Sequence, residues 1–324
     1  MKFLRTLVMA ALVAIPMQSA MADVEVTDYQ GNKITLKERV VDNKGFKINT
    51  YSVGKGPLLI ISHGNGDFWF GWTHQLNMLS KRYQVVLYDL RNFNKSDKLT
   101  GVANNVDAVF EEDLLAVQNA YGKGPAVHMG NDQGGMVLWM YAMKYPEKVK
   151  LLIQTNTIHP RAFIRELALD SEQAAKSVYI EHMIVNGKSP QMMKPGYVPS
   201  HERAGDTPSM TALRKEAIER TGDEGRQATV DWYRANFPGR PYTPGSRAFG
   251  SRGAEFPHVK APTLVVVDIK DPALNPTGYD QLGTWIDADY TMVTWPDGGH
   301  FQHSQQPDRF NRLIDDWLRF NESK

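Results

Sequence analysis

Six short apolar runs, each carrying almost no charge, limit what this chain can become: Pro57–Ser62, Tyr83–Tyr88, Ala126–Met129, Val149–Gln154, Pro262–Val267 and Tyr290–Trp295. A strand with one wet face alternates polar and apolar side chains. An uninterrupted apolar run of this length reads as a strand buried on both faces. Between the runs lie stretches of helical periodicity, namely Trp72–Arg82, Val106–Tyr121, Gly134–Tyr145, Pro276–Ile286 and, after the last run, Pro307–Phe320. Alternation of this kind predicts an α/β fold, with a mostly parallel sheet flanked by helices and reactive groups at the carboxyl ends of the strands. Ahead of it, Val24–Asp28, Lys33–Val41 and Phe46–Val53 alternate with period two and predict antiparallel strands at a sheet edge.

The rhythm breaks between residues 157 and 260. No buried-strand run occurs there. Helix-like stretches do (Arg161–Leu169, Glu172–Val185, Ser209–Arg220, Gln227–Phe237), followed by a Pro/Gly-rich exit over Pro238–Ser251. The expected organisation is a core domain of residues 23–156 and 261–324 with a helical cap, 157–260, inserted between two strands. Residues 1–22 differ from both. Lys2 and Arg5 precede an uncharged run, Leu7–Pro16, and Ala20-Met21-Ala22 offers a small-x-small cleavage site. The run is too short to span a bilayer, which takes about 20 residues. The expectation is a signal peptide cleaved near Ala22, exporting the chain to the periplasm or the medium. The chain has no cysteine, so disulfides, thiol catalysis and cysteine-ligated metal drop out. A net charge of +1 without a basic block gives no footprint for nucleic acid. A homodimer is compatible with the sequence but nothing in it requires one.

The sharpest local signal is Gly130-Asn131-Asp132-Gln133-Gly134. A strand ends and a helix begins within three residues, with small residues two before and two after position 132. This is the pattern of a nucleophile elbow, except that an aspartate occupies the nucleophile's place. A carboxylate is ionised already and can attack a saturated carbon bearing a leaving group, which makes an alkyl ester. Water must then hydrolyse that ester, and this step needs a general base and an oxyanion hole. His300, in the Gly-Gly-His loop after the last strand, is the candidate base. Asp268 and Asp271 both follow the strand before it, and Asp271, in a Lys-Asp-Pro turn, is the better candidate to orient the histidine. Backbone N–H groups of Asn65 and Gln133 are the candidate oxyanion donors. Phe68 and Trp69, beside the glycine-rich His63–Asp67 turn, are candidates to line an apolar substrate pocket.

Three segments together, His63-Gly-Asn-Gly-Asp-Phe-Trp-Phe-Gly-Trp-Thr-His-Gln, Asp89-Leu-Arg-Asn-Phe-Asn-Lys-Ser-Asp-Lys and Gly130-Asn-Asp-Gln-Gly-Gly, resemble the epoxide hydrolases of the α/β-hydrolase superfamily. The resemblance covers nearly the whole chain after residue 22 and is weaker in the cap. It implies a cap over the site, no cofactor or metal, a small apolar epoxide as substrate, and two cap tyrosines that activate the epoxide oxygen. Asp231-Trp232-Tyr233-Arg234 resembles the second tyrosine motif and Ser177-Val-Tyr179-Ile-Glu181 the first, with His182 an alternative to Tyr179. An alkoxide is a poor leaving group, so a phenol must donate it a proton. The chain departs from the family pattern at Gly66 (usually Pro), Asn131 (usually His) and Gln133 (usually Trp). It also has Asn156 where some exported relatives place Glu. Two other readings stay open: a haloalkane or haloacid dehalogenase using the same triad with Asn65 on the halide, and a non-catalytic exported binding protein on the same scaffold.

Overall fold

The computed structural model describes residues 23–169, 171–188, 201–237 and 257–323. The expected signal segment, 1–22, and the Pro/Gly-rich exit, 238–251, lie outside them. Nine strands form one sheet in the order β1-β2-β3-β5-β4-β6-β7-β8-β9. β1 (Asp23–Thr27), β2 (Lys33–Asn43) and β3 (Phe46–Val53) are antiparallel, and β3 joins β5 (Gln84–Tyr88) antiparallel as well. From β5 onward the sheet is parallel through β4 (Leu58–Ser62), β6 (Ala126–Asn131), β7 (Val149–Thr155), β8 (Thr263–Asp268) and β9 (Tyr290–Trp295). This is the α/β-hydrolase fold, with helices flanking a mostly parallel sheet.

Burial follows position in the sheet. Every residue of β6 and β8 is buried, as both-face coverage requires, whereas β2 alternates buried and exposed residues along much of its length. The last apolar run departs from expectation. Most of β9 is exposed, Tyr290 and Met292 at 45% and 42%. It is the edge strand, and the segment expected to form a helix before it does not. Pro276–Tyr279 and Leu282–Trp285 are separate 3-10 turns, divided at Gln281, whose φ of 62° no α-helix accommodates.

The flanking helices are α1 (Thr73–Leu79), α2 (Asp107–Tyr121), α3 (Asp132–Lys144) and, after β9, α8 (Gln302–Gln305) and α9 (Pro307–Glu322). In α9, Phe310, Ile314, Trp317 and Leu318 recur at helical spacing and form its buried stripe. Between β7 and β8 lie α4 (Pro160–Leu169), α5 (Ser171–Lys176), α6 (Val178–Asn186) and α7 (Pro208–Asn236). The expected Glu172–Val185 helix is thus two helices. α7 is continuous only nominally: Gly222 at φ 58° and ψ −169° divides it close to where the sequence pattern predicts a gap. No described helix is long and apolar enough to cross a membrane.

Candidate active site

Asp132 stands where β6 gives way to α3, with φ at 48°. An L-residue enters this left-handed region at a cost, which the surrounding packing must hold in place. That packing is tight. A Cβ on Gly130 would come within 2.9 Å of the Ser62 carbonyl oxygen, and one on Gly134 would run into the Ser62 and His63 carbonyls of the neighbouring strand end. The small residues flanking the elbow are therefore a steric requirement of β4 lying alongside.

The Asp132 carboxylate is held at both oxygens. Oδ1 accepts the backbone N–H of Asn65 at 2.6 Å, and Oδ2 lies 3.3 Å from His300 Nε2. Burial opposes its charge, but His300 and the backbone N–H groups of Gln133 and Asn65 outweigh burial and hold its pKa below the ordinary value. Two N–H groups thus converge on one carboxylate, the arrangement a developing oxyanion requires. The loop that brings in Asn65 is fixed by His63. Its Nδ1 donates to the Gly64 carbonyl at 2.8 Å and its Nε2 accepts the Leu90 N–H at 3.0 Å. Burial lowers its pKa to about 4, so it is neutral.

His300 sits between two carboxylates, with Nδ1 2.6 Å from Asp271 Oδ2. Burial disfavours its charge, yet Asp271 and Asp132 together raise its pKa to about 10. The resting imidazole is therefore an imidazolium. Asp271 is buried and its other oxygen accepts the N–H groups of Ala273 and Leu274 at 2.7 and 3.1 Å. Asp268 has a different task. It accepts the Gly298 and Gly299 N–H groups, the latter at 2.9 Å, and so pins the loop that carries His300. Asn156, at φ 44°, braces the same loop. Its Nδ2 donates to the carbonyls of Gly299 and His300 at 2.7 and 3.1 Å, and its Oδ1 accepts from Asp268 N and Gln302 Nε2 at 2.8 and 2.9 Å. Nothing in the sequence pattern marks either residue as a brace.

From the segment between β7 and β8, α6 and α7 bring Tyr179 and Tyr233 edge to face, with ring centroids 5.9 Å apart. The Tyr233 hydroxyl accepts from the Asn65 side-chain amide at 3.2 Å, and Tyr179 is hydrogen-bonded to it. Burial raises both phenol pKa values, so both keep their protons. His182, the alternative to Tyr179, interacts with Asn186 within its own helix at 3.0 Å and is absent from the cavity wall.

The cavity over Asp132 encloses about 410 Å³ of space between atoms, its open mouth included. Gln133, Met136, Ile158, Phe163, Tyr179, Trp232, Tyr233, Phe237 and Leu274 contribute to its wall. Phe68 and Trp69 do not, which corrects the sequence expectation. Trp69 begins a 3-10 turn that directs its ring back onto Tyr51, stacked at 4.0 Å, and Phe68 packs against Phe70, 5.4 Å between centroids. The apolar wall comes instead from α3, α4 and the end of α7. The only periodic signal for it in the sequence is the i,i+4 pair Tyr233 and Phe237, which packing alone would also produce.

A second polar cluster supports the oxyanion loop. Asp67 is buried 2.8 Å from Arg203 and 3.2 Å from Arg214, both from the segment between β7 and β8. Burial opposes its ionisation, but Arg203, His303 and Arg214 hold it well below the usual carboxylate range.

Residues 57–307 match the family model described as alpha/beta hydrolase fold. Epoxide hydrolase 4 of Mus musculus is 24% identical over 284 residues, covering 85% of this chain and 77% of the relative. Epoxide hydrolase 1 of Caenorhabditis elegans is 34% identical over 137 residues, 42% of this chain and 34% of that protein. Among solved structures, the Bacillus megaterium epoxide hydrolase in complex with an inhibitor superposes with a TM-score of 0.75 at 22% identity, over 87% of this chain and 100% of that one. With the family match spanning most of its length and the sheet order and elbow to go with it, the chain is a member of the alpha/beta hydrolase family, with epoxide hydrolases among its homologues.

Proposed function

We propose that this protein hydrolyses epoxides to vicinal diols through an alkyl ester on Asp132. One observation carries the reading: Asn65 holds both chemical partners at once. Its backbone N–H binds the Asp132 carboxylate at 2.6 Å while its side-chain amide binds the Tyr233 hydroxyl at 3.2 Å. A candidate nucleophile and a candidate proton donor are thereby both anchored to one residue, as concerted attack and protonation would need.

In the first half-reaction Oδ2 of Asp132 attacks a ring carbon. The carbon–oxygen bond breaks and the oxygen takes the proton of Tyr233, which Tyr179 supports. The His300 imidazolium returns a proton to the phenolate by way of solvent and becomes neutral. Esterification favours this transfer, because it removes the Asp132 charge that helped hold the proton. In the second half-reaction neutral His300, oriented by Asp271, takes a proton from water as the water oxygen adds to the ester carbon. Charge on Oδ1 is met by the N–H groups of Asn65 and Gln133. Collapse expels the diol alkoxide, which takes the proton of the new carboxyl group. This restores the Asp132 carboxylate and the His300 imidazolium.

A haloalkane dehalogenase would use the same triad, with the Asn65 amide on the departing halide. Here that amide is already donated to Tyr233, which favours the epoxide. The test is His300→Gln incubated with an epoxide and with a haloalkane. The expected result is a stable adduct on the Asp132 peptide heavier by the whole mass of the epoxide. An adduct lacking the halogen, formed only from the haloalkane, would reassign the leaving group. Sustained turnover by this variant would overturn the mechanism.

We also infer that residues 1–22 direct export and are removed near Ala22, a reading supported by their charge and apolar pattern. Intact mass of the protein from a periplasmic or culture fraction tests it, with Asp23 as the expected first residue.

A further inference from the structure

The Gln133 side chain lines the cavity beside Asp132, is 3% exposed, and among the described residues neither its Oε1 nor its Nε2 has a hydrogen-bond partner. The other polar groups of that wall are engaged. Asn156 is saturated by the His300 loop, Thr157 Oγ1 donates to the Asp132 carbonyl at 3.3 Å, and Tyr233 holds Asn65. Apart from Tyr179, the remaining described wall is apolar: Met136, Ile158, Phe163, Trp232, Phe237 and Leu274. A buried amide with both ends open, in an otherwise apolar cavity, is costly unless something in the cavity pairs with it. Its backbone N–H serves Asp132, so the open amide stands one residue from the reacting carboxylate.

Resting on the epoxide reading above, we propose that Gln133 determines specificity for epoxides that carry a neutral hydrogen-bonding group next to the ring, a 2,3-epoxy alcohol being the simplest. A hydroxyl there donates to Oε1 or accepts from Nε2, while the rest of the substrate lies against the apolar wall. The group is neutral rather than acidic. Among the described residues no Lys or Arg lines the cavity, and a carboxylate there would face the Asp132 charge. The substrate expected from the sequence was purely apolar. Gln133 shifts that expectation toward an amphiphile.

The experiment compares wild-type kcat/KM for a 2,3-epoxy alcohol and for the epoxyalkane in which methyl replaces the hydroxyl. It repeats the comparison with Gln133→Leu and Gln133→Met. A site built to bond a substrate hydroxyl discriminates strongly against the analogue lacking it. The wild type is expected to prefer the alcohol by about 10- to 100-fold, with the ratio falling to one or below in both variants. Equal wild-type rates on the two epoxides would overturn the specificity and leave epoxide hydrolysis standing. So would a preference for the alcohol that both variants retain. Hydrolysis of neither epoxide would instead bring down the reading on which the proposal rests. The wild-type ratio alone can refute the proposal should either variant fail to fold.

Discussion

The sheet with its loops and the helices between β7 and β8 each contribute to the candidate site, and they hold their residues differently. On the sheet side each candidate group is fixed by several hydrogen bonds at a strand end. Asp132 is bonded from Asn65 and His300, Asp271 accepts two backbone N–H groups, and the His300 loop is tied down by Asp268 and Asn156. On the cap side Tyr179 and Tyr233 are positioned by ring edges and faces, and the Asn65 amide is the hydrogen bond that ties Tyr233 to the core. Directional bonds fix charge and proton position. Ring packing fixes shape and leaves room to accommodate different substrates. The chemistry is thus expected to be intolerant of change on the sheet side, and the substrate range to be set by the cavity wall, Gln133 together with the rings of α4, α6 and α7.

The largest expected effect is at Asp271. Asp271→Asn removes the carboxylate that orients His300 and should slow ester hydrolysis by about 10³- to 10⁴-fold. Ester formation should be less affected, so a burst of one equivalent followed by slow turnover is the readout. Equal slowing of both steps would mean that Asp271 serves the first step as well. Next comes the cap. Tyr233→Phe should lower the rate of ester formation by about 10²-fold or more, as loss of a positioned general acid does. Tyr179→Phe should cost less, because Tyr179 acts through Tyr233. Pre-steady-state ester formation measures both, and a larger loss at Tyr179 would reverse the assignment.

Asn156→Ala probes the brace. It strands the partners of four buried hydrogen bonds and puts alanine at a positive φ, so about 1–3 kcal/mol of stability should disappear in denaturant titrations. An unchanged midpoint would show that the loop does not depend on it. The smallest effect concerns pH. His300 moves from its ordinary 6.5 to about 10 on folding. Its contribution to stability is full below about 6.5 and lost as pH rises through about 10. The stability gap between wild type and His300→Gln should therefore close above that pH. By NMR, the His300 titration should move well below 10 in Asp132→Asn, where one of its two carboxylates has lost its charge.

How much of this was legible beforehand follows the same division. Strands buried on both faces need unbroken apolar runs, and the elbow needs small residues, so the parallel sheet, Asp132 and His300 can be read from spacing. β9 misleads because Tyr290, Met292 and Val293 have a composition suited to burial but lie on a sheet edge, and coverage is a tertiary property. The aromatic run Phe68–Trp72 misleads for a related reason. Ring content gives no direction, and a single 3-10 turn directs Trp69 onto Tyr51 and away from Asp132. Asn156 and Asp268 stayed hidden because a polar residue at a strand end can brace, cap or react, and only its partners decide which. Tyr179 and Tyr233 were singled out only through the resemblance, since tyrosines in helices of this kind otherwise read as packing; the structure puts both in the cavity wall.

The ion cluster at Asp67 bears on how such proteins can be rebuilt. Asp67 lies two residues beyond Asn65, in the turn that delivers the oxyanion donor, yet its positive partners Arg203 and Arg214 belong to the inserted segment. A chimera that kept this sheet and took the inserted segment from elsewhere would leave the buried Asp67 charge with His303 but without its two arginines, a defect that typically costs several kcal/mol. The fault would surface in the loop that bonds Asp132, far from the junctions where the segments were joined. Cap and core here are interchangeable parts only if position 67 is exchanged along with the arginines that answer it.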